Sequence, residues 1–125
     1  MINIAIVEDE KNISQELENF VKEIFEKNNF DICISCFENA KSFIDQFSSS
    51  YDLIFMDDMM PKLSGRETLK KIKEDTTFKT PVVALTANVI AGMEEEYLEE
   101  GFDGYLPKPI ERKALDNIVN KYLNK

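Results

Sequence analysis

The chain has 125 residues, 43% of them hydrophobic and 31% charged, the size and balance of one folded domain rather than a disordered or membrane-embedded chain. Its formal net charge of −9 argues against nucleic-acid binding, which needs clustered Lys and Arg to neutralise phosphates. The absence of histidine excludes Ser-His-Asp catalysis, His-ligated zinc and a phosphohistidine carried on this chain, so chemistry falls to carboxylates, hydroxyls and lysine. The opening MINIAIVEDE lacks a basic lead and a full signal-peptide apolar region, and no run approaches the roughly 18 apolar residues of a membrane span. A single cytoplasmic domain over residues 1–125 is expected.

Short apolar runs alternate with amphipathic segments along the whole chain. The first strand is expected over Ile2 to Val7 and runs into Glu8 and Asp9. Ile13, Leu17, Phe20, Val21, Ile24 and Phe25 then recur at helical spacing and give a first helix with one apolar stripe. A second strand is expected over Phe30 to Cys36. Its CISC segment has the formal C-x-x-C spacing of a redox pair, but odd spacing on a strand sends Cys33 and Cys36 to opposite faces, and no helix N-terminus is there to activate a thiol. Ala40, Phe43, Ile44 and Phe47 mark a second helix with Asn39 as its cap.

The third strand, Leu53 to Met56, meets two aspartates, Asp57 and Asp58. Ser64 and Glu67 stand at capping-box spacing before a third helix that carries Leu69 and Ile72. A fourth strand is expected over Pro81 to Thr86, and a weakly patterned acidic helix around Met93 to Glu100 stops at Gly101. The fifth strand, Gly104 to Leu106, leads to Lys108 and Pro109, and a last helix places Leu115, Ile118, Val119, Tyr122 and Leu123 on one face. Five β-α units imply an α/β fold, a doubly wound parallel sheet with helices on both faces and apolar strands covered on each side.

Ligands in such sheets bind outside the carboxyl ends of the strands, where strand order reverses. Those ends carry Glu8, Asp9, Asp57, Asp58, Thr86 and Lys108. If the first and third strands are neighbours, at least three carboxylates crowd one pocket, and their mutual repulsion calls for a cation. All-oxygen ligands select Mg²⁺ or Mn²⁺ over zinc or copper. A metal, a lysine and a hydroxyl around a carboxylate can together cradle a phosphoryl group on that carboxylate. Taken singly, each residue has a plainer reading: Glu8 and Asp9 as caps of the next helix, Thr86 as a loop residue, Lys108 as a solvated surface lysine. Their joint occurrence at strand ends favours a site.

The pieces IAIVEDE, DLIFMDDMMPKLSG, PVVALTAN and GYLPKPI, in this order and at these distances, resemble the receiver domain of two-component response regulators, and the likeness covers essentially the whole chain. The resemblance implies a CheY-like, flavodoxin-like sheet with strand order 2-1-3-4-5. It implies that Asp57 accepts a phosphoryl group from a histidine kinase or a histidine phosphotransfer protein. Mg²⁺, for which Mn²⁺ can substitute, would be held by Glu8, Asp9, Asp57 and the backbone carbonyl of Met59. Lys108 and Thr86 would contact the phosphoryl oxygens, and Tyr105 would be an aromatic switch that follows Thr86. Met59 and Asn88 would tune how long the phosphate lasts, and the bond before Pro109 would be cis. The phosphoryl group would then alter the face formed by the fourth helix, fifth strand and fifth helix.

Such a domain is a signalling switch that assists phosphorylation and dephosphorylation of its own aspartate. Its parent could be a hybrid histidine kinase, an output domain can lie outside this chain, and a homodimer is compatible with the type. Two features depart from the common pattern: Asp58, where an aliphatic residue is frequent and whose side chain is expected to point away from the pocket, and Glu8, where Asp is frequent. Competing readings are a phosphatase of the haloacid dehalogenase type, which needs Asp-x-Asp where this chain has adjacent acids, and a flavin-binding module, which needs a phosphate-cradling loop after the first strand. The last is a receiver that binds partners without phosphorylation.

Overall fold

The computed structural model describes residues 2–46, 51–57, 65–74, 80–86, 98–99, 101–108 and 110–123. Five strands, β1 (Ile2–Val7), β2 (Ile32–Phe37), β3 (Leu53–Asp57), β4 (Val82–Thr86) and β5 (Gly104–Pro107), form one sheet in the order β2-β1-β3-β4-β5. Every neighbouring pair is parallel. The helices are α1 (Lys11–Lys27), α2 (Ala40–Asp45), α3 (Gly65–Ile72) and the C-terminal α4 (Arg112–Leu123). The chain steps from β1 to β2 in one direction and from β2 through β3 to β4 in the other. Crossovers of constant hand must then put α1 on one face and α2 and α3 on the opposite face.

The core divides accordingly. On one face Ile4, Ile6, Phe55, Val83, Leu85 and Leu106 meet Leu17, Val21, Ile24 and Phe25 of α1 and Leu115 and Val119 of α4. On the other, Ala5, Val7, Ile54, Met56, Val82 and Ala84 meet Ala40 and Phe43 of α2 and Leu69 and Ile72 of α3. Strand residues thus alternate strictly between the two cores. Each large apolar side chain buried this way stabilises the fold by about 1.5–3 kcal/mol.

Four of the five strands differ in their bounds from expectation, β3 and β5 each by one further residue, Asp57 and Pro107. The second strand begins at Ile32 rather than Phe30, because residues 25–30 close α1 instead. Asn29 adopts φ 63°, the Asn29 amide donates to the Glu26 carbonyl (3.0 Å) and the Phe30 amide to the Phe25 carbonyl (2.9 Å). That is the hydrogen-bond pair of a Schellman cap with asparagine in the left-handed position, and the Phe25 and Phe30 rings meet edge to face at 6.1 Å in the apolar contact that accompanies it. β2 is also an edge strand with Cys33 and Cys36 exposed, so it is not covered on both faces like the others. Pro81 lies outside β4, having no N–H for the ladder, although its carbonyl accepts from the Ile54 amide at 3.0 Å.

Other local readings hold. Asn39 caps α2 by accepting from the Ser42 amide at 2.8 Å. Gly101 has φ 105°, a conformation that favours glycine. The two cysteines are free, and strand alternation puts them on opposite faces. Desolvation pushes the Cys36 thiol above its ordinary 9.0, the wrong direction for a redox nucleophile. Phe47, Asp58, Met59, Ser64, Asn88, Pro109 and most of the expected acidic helix, save Leu98 and Glu99, lie outside the described residues. No helix among the described residues is long and apolar enough to cross a membrane.

At the amino ends of the strands, two aspartates fasten neighbouring strands by reciprocal bonds. The Asp52 carboxylate accepts from the Asn3 amide at 2.8 Å while the Asp52 amide donates to the Asn3 carbonyl at 2.7 Å. Asp103 does the same to Val82, at 2.8 Å in both directions. Each aspartate immediately precedes its strand, so it fixes register where pairing begins.

Candidate phosphoacceptor site

Strand order reverses between β1 and β3, so the crevice at their carboxyl ends is where an α/β sheet collects a ligand. Glu8 continues the alternation of Ile4 and Ile6, Asp57 that of Leu53 and Phe55, and Lys108 that of Leu106. All three therefore fall on the α1 and α4 side of the sheet. Glu8 and Asp57 are 2% exposed. Carboxylate oxygens of Glu8, Asp9 and Asp57 lie within 4.8 Å of one another, with Asp9 at the exposed rim.

Lys108 reaches into this cluster. Its Nζ is 3.0 Å from Glu8 Oε2 and 3.1 Å from Asp57 Oδ1, with the lysine side chain 11% exposed. Its backbone amide donates to the Thr86 carbonyl at 2.8 Å, so the end of β4 carries the lysine. Burial works against the ammonium, but the pull of Glu8 and Asp57 outweighs it and holds Lys108 above the ordinary lysine value. This is not a solvated surface lysine.

Glu8 is the strained member. Oε1 accepts from the Glu10 amide at 3.1 Å. Oε2 faces the Lys108 ammonium at 3.0 Å and has no other donor among the described residues. Burial first, and the charge of Asp57 with it, push the carboxyl from 4.5 to about 7 against the opposing pull of Lys108. Capping does not explain these acids, since the N-cap of α1 is Glu10 and its side chain makes no capping bond. Three carboxylates facing one ammonium suit a divalent cation bound through oxygen. The sequence shows the acids but not this burial, which depends on how deeply β1 sits in the sheet.

Thr86 ends β4 and is also 2% exposed. By alternation it shares the α2 and α3 side with Val82 and Ala84. Tyr105 pairs in register with Ala84 and packs half-buried against that same core, so Thr86 and Tyr105 occupy one face of adjacent strands.

This edge of the sheet, with two buried acids bridged by a lysine and a threonine closing the next strand, has the architecture of a CheY-like receiver. Residues 4–120 match the family model of the response regulator receiver domain, and the chain belongs to that family. It is 33% identical over 130 residues to hybrid signal transduction histidine kinase I of Dictyostelium discoideum, covering 97% of this chain and 7% of that protein. It is 36% identical over 118 residues to the transcriptional regulatory protein CpxR of Escherichia coli, covering 92% of this chain and 46% of that protein. Less than half of either relative is therefore spanned. The structure of a BeF3-activated DrrB receiver domain superposes with a TM-score of 0.83 at 26% identity, covering 100% of this chain and 99% of that one.

Proposed function

We propose that this chain is the phosphoacceptor module of a two-component phosphorelay and that Asp57 is the residue phosphorylated. The observation that carries the reading is the Lys108 ammonium lodged between the buried carboxylates of Glu8 and Asp57. Burying that many charges is costly unless the site is built for further charged groups.

In the proposed reaction a carboxylate oxygen of Asp57 attacks the phosphorus of a phosphohistidine on a histidine kinase or histidine phosphotransfer protein. The new O–P bond forms as the P–N bond breaks, and its electron pair returns to the imidazole. Glu8, Asp9, Asp57 and the Met59 carbonyl would hold Mg²⁺, or Mn²⁺ in its place, which supplies neutralisation of phosphoryl oxygens during transfer. Lys108, already 3.1 Å from Asp57, pairs with the arriving phosphoryl oxygens, and the Thr86 hydroxyl donates to one of them. Water attacking phosphorus reverses the modification, so the domain assists its own phosphorylation and dephosphorylation and does not turn over external phosphate esters such as p-nitrophenyl phosphate.

Signal output follows from placement. Thr86 drawn toward Asp57 leaves room on the face it shares with Tyr105, and the ring moves inward. The surface built from the expected 93–100 helix, β5 and α4 changes with it, by biasing two existing packings a few kcal/mol apart. Output would pass to a domain outside this chain or to a second copy of it, in the cytoplasm, where phosphohistidine donors are found.

Incubation with acetyl phosphate and Mg²⁺ followed by intact mass tests the reading. Wild type is expected to gain one phosphoryl group, and Asp57→Asn and an EDTA-treated sample none. An equal adduct on Asp57→Asn would place the modification at another residue, and none on a wild-type chain shown to bind Mg²⁺ would point instead to a receiver that binds partners without phosphorylation.

A further inference from the structure

Lys73 follows the end of α3, outside the acid cluster. Its Nζ donates to the Gly101 carbonyl at 2.7 Å. Gly101 leaves space for it: a Cβ there would lie 2.7 Å from Lys73 Nζ and 3.2 Å from Lys73 Cε. The φ of 105° at Gly101 adds a second reason for glycine. The Gly101 amide donates to the Leu98 carbonyl at 3.1 Å, so the lysine fastens the point where the helical turn at Leu98 and Glu99 gives way to β5. Phe102, 2% exposed, packs in the same core as Leu69 and Ile72 of α3, and Asp103 is bonded both ways to Val82.

These contacts hold the entry to β5 against the end of α3 and the start of β4. Residues 87–103 join Thr86 to the strand that carries Tyr105. The near end of that stretch is attached to the threonine, and the far end is held to α3, the helix that follows the acceptor strand. We propose that Lys73 is a positioning residue for the switch: by pinning Gly101 it fixes the far end, so that a displacement of Thr86 is delivered to β5 and Tyr105 rather than dissipated where the segment enters the strand. The proposal rests on the phosphoacceptor reading for the origin of that displacement. Phe102 supplies the buried part of the anchor, and Asp103 ties it to β4. Lys73 is its exposed part, and it can be altered without opening the core.

Amide exchange read by mass spectrometry tests this on the intact chain with Lys73→Met, which keeps the stem and removes the donor, and Lys73→Arg, which keeps a donor. In the unphosphorylated protein, Lys73→Met is expected to speed exchange at residues 101–103 about tenfold, the opening equilibrium that one charge-assisted hydrogen bond governs. Amides of β1 and β3 should be unchanged and Lys73→Arg should restore protection. After acetyl phosphate and Mg²⁺, the adduct yield should match wild type while the exchange change at residues 104–107 falls by at least half. Wild-type exchange at 101–103 in Lys73→Met, or a full response at 104–107 despite the substitution, overturns the proposal. If no variant forms an adduct, the phosphoacceptor reading fails, and the comparison in the unphosphorylated protein still decides whether Lys73 pins Gly101.

Discussion

Glu8 is the residue on which the site's electrostatics turn. Its buried Oε2 has only the Lys108 ammonium for a partner among the described residues, and its neighbours Asp57 and Lys108 pull its ionisation in opposite directions. Exchange to glutamine removes the buried charge, so Glu8→Gln is expected to stabilise the cation-free protein by about 1–2 kcal/mol. The same change should shrink the stabilisation that added Mg²⁺ gives to wild type. Thermal melts in EDTA and in Mg²⁺ check both; a variant less stable than wild type in EDTA would contradict the assignment of strain.

Cys36 provides the pH test at this scale. Desolvation, with Glu18 adding to it, raises the thiol above 9.0, while a hydrogen bond with Ser14 and the charge of Lys22 oppose the shift. A group raised in the folded state contributes stability that is present below its unfolded value and is lost as pH rises through the folded one. Reaction of the Cys33→Ser variant with a thiol reagent should therefore reach its half-maximal rate only above pH 9, and unfolding in urea should move the profile to lower pH. A half-maximal rate below pH 9 in the folded protein would reverse the sign.

Among elements, the central strands were legible from sequence because burial on both faces makes them continuous apolar runs, and their carboxyl ends could be searched for chemistry without knowing a single contact. What escaped lies where local and tertiary signals compete. Phe30 has the hydrophobicity of a strand residue, yet Asn29 in the left-handed conformation turns it back onto Phe25. β2 reads like a central strand because ICISCF carries no charge, and only the sheet order reveals it as an edge. Lys73 looks like any surface lysine until Gly101 is seen beneath it. The burial of Glu8, likewise, is a property of the assembled crevice.

The aspartate clamps belong to this scale too. Asp103→Ala leaves the Val82 amide without its side-chain acceptor at the start of β4, and the expected loss is about 1–2 kcal/mol in urea unfolding with little change in the slope. A cost near zero would mean that water replaces the carboxylate. Phosphorylation at the carboxyl ends of the strands should proceed at the wild-type rate in this variant.

Across the whole molecule, the two-sided sheet separates functions by face. Alternation sends Glu8, Asp57 and Lys108 to one side and Thr86 and Tyr105 to the other, and the bond from the Lys108 amide to the Thr86 carbonyl crosses between adjacent strands. Under the proposed function, a charge added at Asp57 would act on groups that belong to both cores. Because the interior is close-packed, such a shift selects between discrete packings rather than deforming the domain smoothly. The net charge of −9 leaves recognition of partners to specific surfaces rather than to general attraction for phosphate polymers.

The most direct test is to locate the phosphoryl group. After acetyl phosphate treatment with Mg²⁺, borohydride reduction converts an aspartyl phosphate to homoserine, and tandem mass spectrometry of the peptide spanning Leu53 to Pro61 reads the position. The account predicts homoserine at position 57, absent when Mg²⁺ is chelated. Homoserine at position 58, or an adduct that forms equally well in EDTA, would contradict it.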